Sequence, residues 1–449
     1  MGSLCAWRRS RCAREVEPLA ERTLIVGGLV IDPVRKLEAV RDVLIEDGEI
    51  RDVAAGLSKE PALSDAAVVD AKGKWVIPGL VDMHVHLREP GREGDETIAS
   101  GTAAAARGGV TTVLAMANTE PVTDTPAQLS FLRAKAAHDA KVNVLFAGAV
   151  TVGQKGERLS EFAKLRAAGA AALSDDGRPV MNAGLFRRAL ENARDLGLLV
   201  IDHCEDLTLS GGACAHEGAA ALRKGLKGAP AAAETVQVMR DIALVELTGA
   251  RLHLAHLSSA ASVEAVRQAK KRGLPISAEA CPHHFCLTDD MIPGYDADWK
   301  MNPPLRAKED RAALIEGLAD GTIDAIATDH APHGCAAKAL GFDTAPFGVI
   351  GLETSLAAAL TALYHTKALT RRELVARMSS APAALLGLSA KGTLAPGSDA
   401  DLAVVDPDAS WTPAAPFVSK SRNTPFAGRR LKGRVLHTFV GGRAVIHAL

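Results

Sequence analysis

His84 and His86, one residue apart in Val81-Asp82-Met83-His84-Val85-His86-Leu87-Arg88, are the residues whose types and spacing most directly suggest chemistry. The stretch reads as the end of a β-strand entering a loop. Strand side chains alternate faces, so both imidazoles project to one side while Val85 and Leu87 point to the other. Two imidazoles held side by side on a rigid element are the start of a metal site, and a metal site needs more ligands. Donors of the right kind recur at the ends of later apolar runs: Asp175 and Asp176, His203, His256 and Asp329.

The elements that must position these groups alternate between β-like and helix-like texture. Candidate strands are Leu80–Val85, Val110–Met116, Val142–Ala149, Ala170–Ser174, Leu198–Asp202, Arg251–His256, Leu274–Glu279 and Ile323–Thr328. Helical segments fall between them over Thr97–Arg107, Ala127–His138, Ala183–Leu196, Ala232–Leu247, Ser262–Lys271 and Arg306–Leu318. Eight strands with crossover helices predict an α/β fold, a (β/α)8 TIM barrel. An open doubly wound sheet would need a glycine-rich loop after an early strand, and Gly108-Gly109 precedes its strand.

Barrel chemistry sits at the C-terminal strand ends. That rim would receive His84 and His86 from strand 1, Asp176 after strand 4, His203 from strand 5, His256 from strand 6 and Asp329 from strand 8. Four histidines and two aspartates gathered there predict a divalent cation site, with zinc favoured by the histidine-rich set and manganese or cobalt fitting the same donors. His253 is expected on the opposite strand face, against the helices, as a core residue. His283 and His284 could line the pocket or be structural. His138, His216, His365, His437 and His447 are expected to be ordinary, and the Cys281–Cys286 spacing lacks the second cysteine pair of a zinc knuckle.

Composition narrows the function classes. The chain has 449 residues, 47% of them hydrophobic, which suits one barrel-sized domain plus a smaller one. With 52 basic and 53 acidic residues the net charge is −1, and no global field would draw nucleic acid or anionic lipid. No apolar run approaches the roughly 20 residues that span a bilayer. Seven irregularly spaced cysteines point to reduced thiols and a cytoplasmic setting.

Residues 1–22 are arginine-rich without apolar periodicity; Glu15, Glu17 and Glu21 oppose a transit peptide, Ala6 opposes myristoylation, and a disordered extension is expected. From Thr23 the texture changes to short β-branched runs broken by Gly, Asp and Pro, and the same texture returns near the C-terminus, as in Asp401–Val405 and Val435–Val440. Neither half supports a sheet alone. Segments 23–75 and 392–449 are therefore expected to pair into one small β-sandwich domain, with the 76–391 barrel inserted between them.

The chain resembles the dihydroorotases of the cyclic amidohydrolase superfamily from about Thr23 to the C-terminus. The most specific pieces are Asp82-Met83-His84-Val85-His86-Leu87-Arg88-Glu89-Pro90-Gly91 and Ala327-Thr328-Asp329-His330-Ala331-Pro332-His333, with Lys338 five residues on. Supporting pieces include Met116-Ala117-Asn118-Thr119, Ser174-Asp175-Asp176-Gly177, His203-Cys204-Glu205-Asp206, His256-Leu257-Ser258 and Met301-Asn302-Pro303-Pro304. The resemblance implies reversible hydrolysis of dihydroorotate to N-carbamoyl-L-aspartate in pyrimidine biosynthesis, with one or two zinc ions held by His84, His86, Asp176, His203, His256 and Asp329. Many relatives bridge two zinc ions with a carboxylated lysine; Arg166–Leu173 offers none, so the resemblance points to Asp176 as the bridge. It assigns Asp329 as the catalytic proton carrier, Arg88, Asn118 and His333 to the substrate carboxylate, and Asn302 to the ring edge. It also suggests contact with aspartate transcarbamoylase and leaves the oligomeric state unread. Gly334-Cys335-Ala336-Ala337 departs from the usual Thr and acidic pair before Lys338, which predicts either a more mobile loop tail or different partner contacts there. The rival expectations are an allantoinase or hydantoinase acting on an uncharged ring, and a non-catalytic scaffold for aspartate transcarbamoylase.

Overall fold

Short β-branched runs at the two ends of the chain cannot bury both faces alone, and in the computed structural model, which describes residues 22–447, they form a single sheet. From the N-terminal side come β1 (Arg22–Asp32), β2 (Leu37–Glu46), β3 (Glu49–Ala54), β4 (Ala67–Asp70) and β5 (Trp75–Pro78). β1, β2 and β3 run antiparallel in sequence, whereas β4 and β5 lie parallel to β1. The expected extension over 1–22 lies outside the described residues except for Arg22, which opens β1.

The barrel strands follow: β6 (Leu80–Val85), β7 (Val110–Ala115), β8 (Asn143–Gly148), β9 (Ala172–Leu173), β10 (Leu199–Asp202), β11 (Leu252–Leu254), β12 (Ile276–Ala280) and β13 (Ala325–Ile326). They pair in that order, every pair parallel. Their residues are almost all buried without alternation, as strands covered on both faces require. The ring closes between its first and last members through a Val85–His330 bridge, with the His86 amide donating to the His330 carbonyl at 2.8 Å. β9 and β13 are shorter than the sequence predicts because their last residues peel into the turns that carry Asp176 and Asp329.

Helices cover the outside, and local signals set their limits. Thr97 caps α1 (Ile98–Arg107) in a reciprocal box with Ser100; Thr125 caps α2 (Pro126–Asp139), whose proline needs no amide partner. An unforeseen α3 (Phe162–Ala168) comes next. It is followed by α4 (Ala183–Leu196), α5 (Ala232–Thr248), α6 (Ala260–Lys271) and α7 (Lys308–Asp320). A helical run over 355–385, broken by two π segments, was also not anticipated. Among the described residues no helix is long and apolar enough to cross a membrane.

The chain then returns to the first sheet with β14 (Leu402–Trp411), β15 (Leu431–Val440) and β16 (Arg443–His447). β14 pairs antiparallel with β5, Leu402 opposite Pro78 and Val405 opposite Trp75, and this pairing unites the two ends of the chain in one eight-stranded sheet. The sheet curls until its two hairpin tips meet: a Cβ on Gly48 would lie 3.0 Å from the Gly441 carbonyl oxygen. Its core draws on both ends, with Ile25, Val43 and Ile50 packed alongside Leu402, Val404 and Phe439.

Asp401 fastens this sheet to the barrel. It is 3% exposed; Oδ1 accepts from the Gly441 amide, and Oδ2 accepts from Asn143 Nδ2 on β8 and from Lys391 Nζ. Removing the carboxylate leaves the Gly441 amide unmet and takes one partner from Lys391 and from Asn143, which keep Asp399 and the Thr111 carbonyl, so Asp401→Ala should destabilise the protein by about 1–3 kcal/mol, measured as a lowered denaturation midpoint in urea; an unchanged midpoint would show that the attachment lies elsewhere.

Candidate active site

At the C-terminal rim the strand ends deliver six donor side chains to one point. Asp176 stands at the centre. Its Oδ1 lies 3.2 Å from His84 Nε2, 3.6 Å from His203 Nδ1 and 3.6 Å from His256 Nε2, while Oδ2 lies 3.4 Å from His86 Nε2. Asp329 Oδ1 is 3.0 Å from His86 Nε2 and 3.6 Å from His84 Nε2. His203 Nδ1 and His256 Nε2 are 2.9 Å apart. All six residues are buried. Asp175, their sequence neighbour, turns away and accepts from the Val150 and Thr151 amides, so it shapes the loop after β8 instead.

Three of the four nitrogens facing away from this point are held in turn, while His256 Nδ1 is buried without a hydrogen-bond partner. His84 Nδ1 meets Glu279 Oε1 at 2.8 Å, His86 Nδ1 meets Asn118 Oδ1 at 2.9 Å, and His203 Nε2 meets Glu205 Oε2 at 3.0 Å. Such outer acceptors fix the tautomer that leaves the inward nitrogen with its lone pair. Three of the site residues also sit on left-handed backbone where their strands break off: Arg88 at φ 59°, His256 at φ 32° and Asp329 at φ 46°. For non-glycine residues this conformation costs about 1–3 kcal/mol.

Electrostatics and unmet polar atoms show what the cluster suits. Burial works against the Asp176 and Asp329 charges, yet the surrounding imidazoles outweigh it and hold both carboxyls well below the usual range. Burial would lower the imidazoles, but Asp176 and its neighbouring carboxylates push His84 up, and Asp176 with Glu205 takes His203 to about 10. His86 goes the other way, burial and the Arg88 charge prevailing over Asp329. His84 Nε2 and Asp176 Oδ1 approach each other without hydrogen-bond geometry, and both are buried with no hydrogen-bond partner. His84, Asp176 and His256 form one group, and His84, His86 and Asp329 another, with the donor atoms in each group within 4.8 Å of one another. Donor atoms of this kind converging on one point fit one or two divalent cations.

Arg88 lies at the edge of this cluster, 9% exposed, its Nε donating to the Pro332 carbonyl at 3.2 Å. Burial lowers its pKa to about 10, with Asp329, Asp95 and Asp176 acting in the other direction, so it stays charged at neutral pH. His333 sits beside it, with the Arg88 Nη2 and His333 Nε2 atoms 3.4 Å apart. Arg92 Nη2 donates to His333 Nδ1 at 3.0 Å and Nε2 meets the Phe347 carbonyl at 2.6 Å, an arrangement only the neutral ring with its proton on Nε2 can make. Burial and the flanking Arg88, Arg92 and Lys338 charges depress His333 to about 2. Gly348, next to Phe347, has φ 134°, and a Cβ there would lie 2.7 Å from the Ala331 Cβ, so only glycine lets this loop close on His333. Asn118 stands apart from the Arg88–His333 pair, turned towards His86 and donating to Asp176 Oδ2 at 3.4 Å. Asn302 donates to Glu205 Oε2 at 2.8 Å.

These motifs have counterparts in known proteins. A family model described as Dihydro-orotase-like matches residues 73–262. The chain is 53% identical over 430 residues to the dihydroorotase of Anaeromyxobacter dehalogenans (strain 2CP-C), covering 95% of this chain and 98% of that protein. The chain belongs to the dihydroorotase family. Identity is also 53%, over 427 residues, to the dihydroorotase of Pelotomaculum thermopropionicum, again with 95% and 98% coverage. In fold it is similar to the L-hydantoinase (dihydropyrimidinase) of Arthrobacter aurescens, with a TM-score of 0.84, 27% identity and coverage of 95% and 96%.

Two expectations are corrected against this family background. His253 does not face the helices: Nδ1 meets Ser277 Oγ at 2.8 Å and Nε2 meets Glu279 Oε2 at 3.1 Å, the same carboxylate that holds His84. The left-handed turn at His256 breaks the alternation that would have set His253 on the other face. The loop after His333 is tied down despite its unusual residues, because the Gly334 amide donates to Asp95 at 2.7 Å and Lys338 Nζ donates to the Lys300, Pro346 and Gly348 carbonyls. His330 is directed away from the cluster, toward Glu96 at 3.3 Å, and serves barrel closure through its backbone. Glu279 was missed; the signal was an acidic residue in the small-residue strand Ile276–Ala280, on the same face as Ser277.

Glu279 is fully buried and reaches His84, His253 and the His256 amide. Replacing it by glutamine keeps the volume and removes the charge that orients His84. Glu279→Gln should weaken cation retention by about 10–100-fold, read by competition with a chromophoric chelator; unchanged retention would assign Glu279 to packing alone.

Proposed function

We propose that this chain hydrolyses the cyclic amide of (S)-dihydroorotate to N-carbamoyl-L-aspartate and runs the reverse cyclisation, as its membership of the dihydroorotase family implies. The observation that carries the reading is Arg88, a charged, nearly buried guanidinium beside the cluster, with Nη1 uncommitted among the described residues. A planar fork suits the substrate carboxylate. An uncharged hydantoin or allantoin ring would leave that cation facing no anion.

His84, His86, Asp176, His203, His256 and Asp329 would hold the cation, zinc in this proposal, with Asp176 spanning two ions because its oxygens face different histidines. When bound, such a cation polarises the ring carbonyl and lowers the pKa of water to about 7. Asp329 is ionised in these surroundings and takes the proton of the attacking water, then passes it to the leaving ring nitrogen. Arg88 fixes the substrate carboxylate, with His333 shaping the far wall. Asn118 holds the His86 tautomer and, on this reading, adds a contact to the carboxylate once substrate enters. Asn302, directed by Glu205, borders the ring edge. Retention of every ligand separates this chain from a non-catalytic scaffold.

The purified protein should turn over dihydroorotate and leave hydantoin and allantoin untouched; turnover of only the uncharged rings would overturn the assignment. Asp176→Ala should lose bound metal together with at least 100-fold in turnover, a loss on the scale reported for ligand and supporting groups, measured by elemental analysis beside a dihydroorotate assay. Full metal content in that variant would remove Asp176 from the ligand set. Arg88→Lys retains the charge but not the fork and should raise KM by roughly tenfold, equal to about 1.4 kcal/mol, with a smaller change in kcat.

A further inference from the structure

A second group of donors lies next to the cluster and takes no part in the proposed reaction. Cys281 directly follows β12 and precedes the one-turn helix Pro282–Cys286. This tight turn gathers Cys281, His283 and His284, all buried, each offering one donor atom, and the three lie within 4.8 Å of one another. His284 Nε2 donates to the Pro303 carbonyl at 2.8 Å, which puts the ring proton there and leaves a lone pair on Nδ1. That Nδ1 and His283 Nε2 are both buried with no hydrogen-bond partner.

A buried polar atom left without a partner costs about 1–3 kcal/mol. Two such nitrogens beside a thiol therefore call for a common ligand. We propose that Cys281, His283 and His284 form a further cation site, distinct from the histidine–aspartate cluster, for a thiophilic divalent ion such as zinc. Bond lengths of about 2.3 Å to sulfur and 2.0–2.1 Å to imidazole nitrogen set donors around one ion about 3.3–3.8 Å apart. The donor atoms, now within 4.8 Å of one another, must draw closer to reach that range on binding. Burial keeps both imidazoles neutral, His284 down at about 4, as ligation requires. Burial and the nearby Asp329, Glu279 and Asp82 charges oppose a free thiolate at Cys281, and the same negative field favours a cation that displaces the thiol proton.

The test is a cobalt(II) titration of the full-length protein after chelator treatment. The histidine–aspartate cluster contains no sulfur, so a thiolate-to-cobalt charge-transfer band in the near ultraviolet reports a cysteine-containing site, and its loss in Cys281→Ser separates the new site from the Asp202–Cys204–Asp241 group. Wild type should develop this band and bind one more equivalent of cobalt than Cys281→Ser, which should lack it. His283→Gln should weaken the band-forming binding at least tenfold, and Cys286→Ser should leave it intact. Visible cobalt bands that saturate with no charge-transfer band, or a band that survives in Cys281→Ser, would overturn the proposal. If Cys281→Ser fails to fold, His283→Gln and wild type decide. The readout does not involve dihydroorotate turnover, so its failure leaves the assigned reaction standing and the converse also holds.

Discussion

Two ionised carboxylates, Asp176 and Asp329, sit fully enclosed among four imidazoles, and their charge balance constrains the rest of the molecule. Removing an ion from water costs several kcal/mol even after relaxation. The cost is met only where positive charge stands within a few ångströms, as shared protons on the histidines or as divalent cations in their place. Protons and cations compete for the same lone pairs, so acid releases metal from such a site. Each imidazole must also present its inward nitrogen unprotonated for ligation, and Glu279, Asn118 and Glu205 hold His84, His86 and His203 that way from outside.

No short segment could bring these groups together. They come from strands 1, 4, 5, 6 and 8 of the ring, and a closed parallel barrel sends all of those ends to one rim. The same ends tolerate the left-handed backbone at Arg88, His256 and Asp329, because the strands behind them are locked by ladder hydrogen bonds and by a continuous apolar layer under the helices. Strain of this kind persists only where its surroundings over-determine it. The small sheet contributes through Asp401, which reaches β8 from the far end of the chain.

Much of this was legible in the residues. The eight barrel strands fall where continuous apolar runs predicted them, Leu80–Val85 to the residue, because strands buried on both faces leave a compositional trace. The six metal-binding candidates could be picked out because each polar residue ends an apolar run. What failed depended on backbone turns or on distant partners. The face of His253 was misjudged because period-two reasoning assumes an unbroken strand, and the turn at His256 breaks it. Glu279 went unnoticed because its partners lie on other strands, 195 residues away at His84. The loop over 334–338 looked loose because its anchors are backbone carbonyls, which no side-chain pattern announces. The helical run over 355–385 was legible but passed over, since Leu356, Leu360 and Leu363 recur at helical spacing and are all buried.

The barrel itself does not choose the substrate. A hydantoinase shares it at a TM-score of 0.84 while sharing 27% of the sequence, so discrimination must lie in the loops at the rim. Here that rim presents Arg88 and Arg92 on either side of His333, with Lys338 behind it, and their fields keep the ring neutral. A neutral His333 adds no further charge, and Arg88 remains the cation nearest the cluster. Burying a guanidinium this way is unfavourable in the free protein and is offset when an anion arrives, so an anionic ring gains what a neutral ring of the same shape cannot. In the proposed reaction, selectivity follows from a desolvated charge awaiting its partner, which rejects the uncharged analogue more strongly than a shape difference of one or two atoms could.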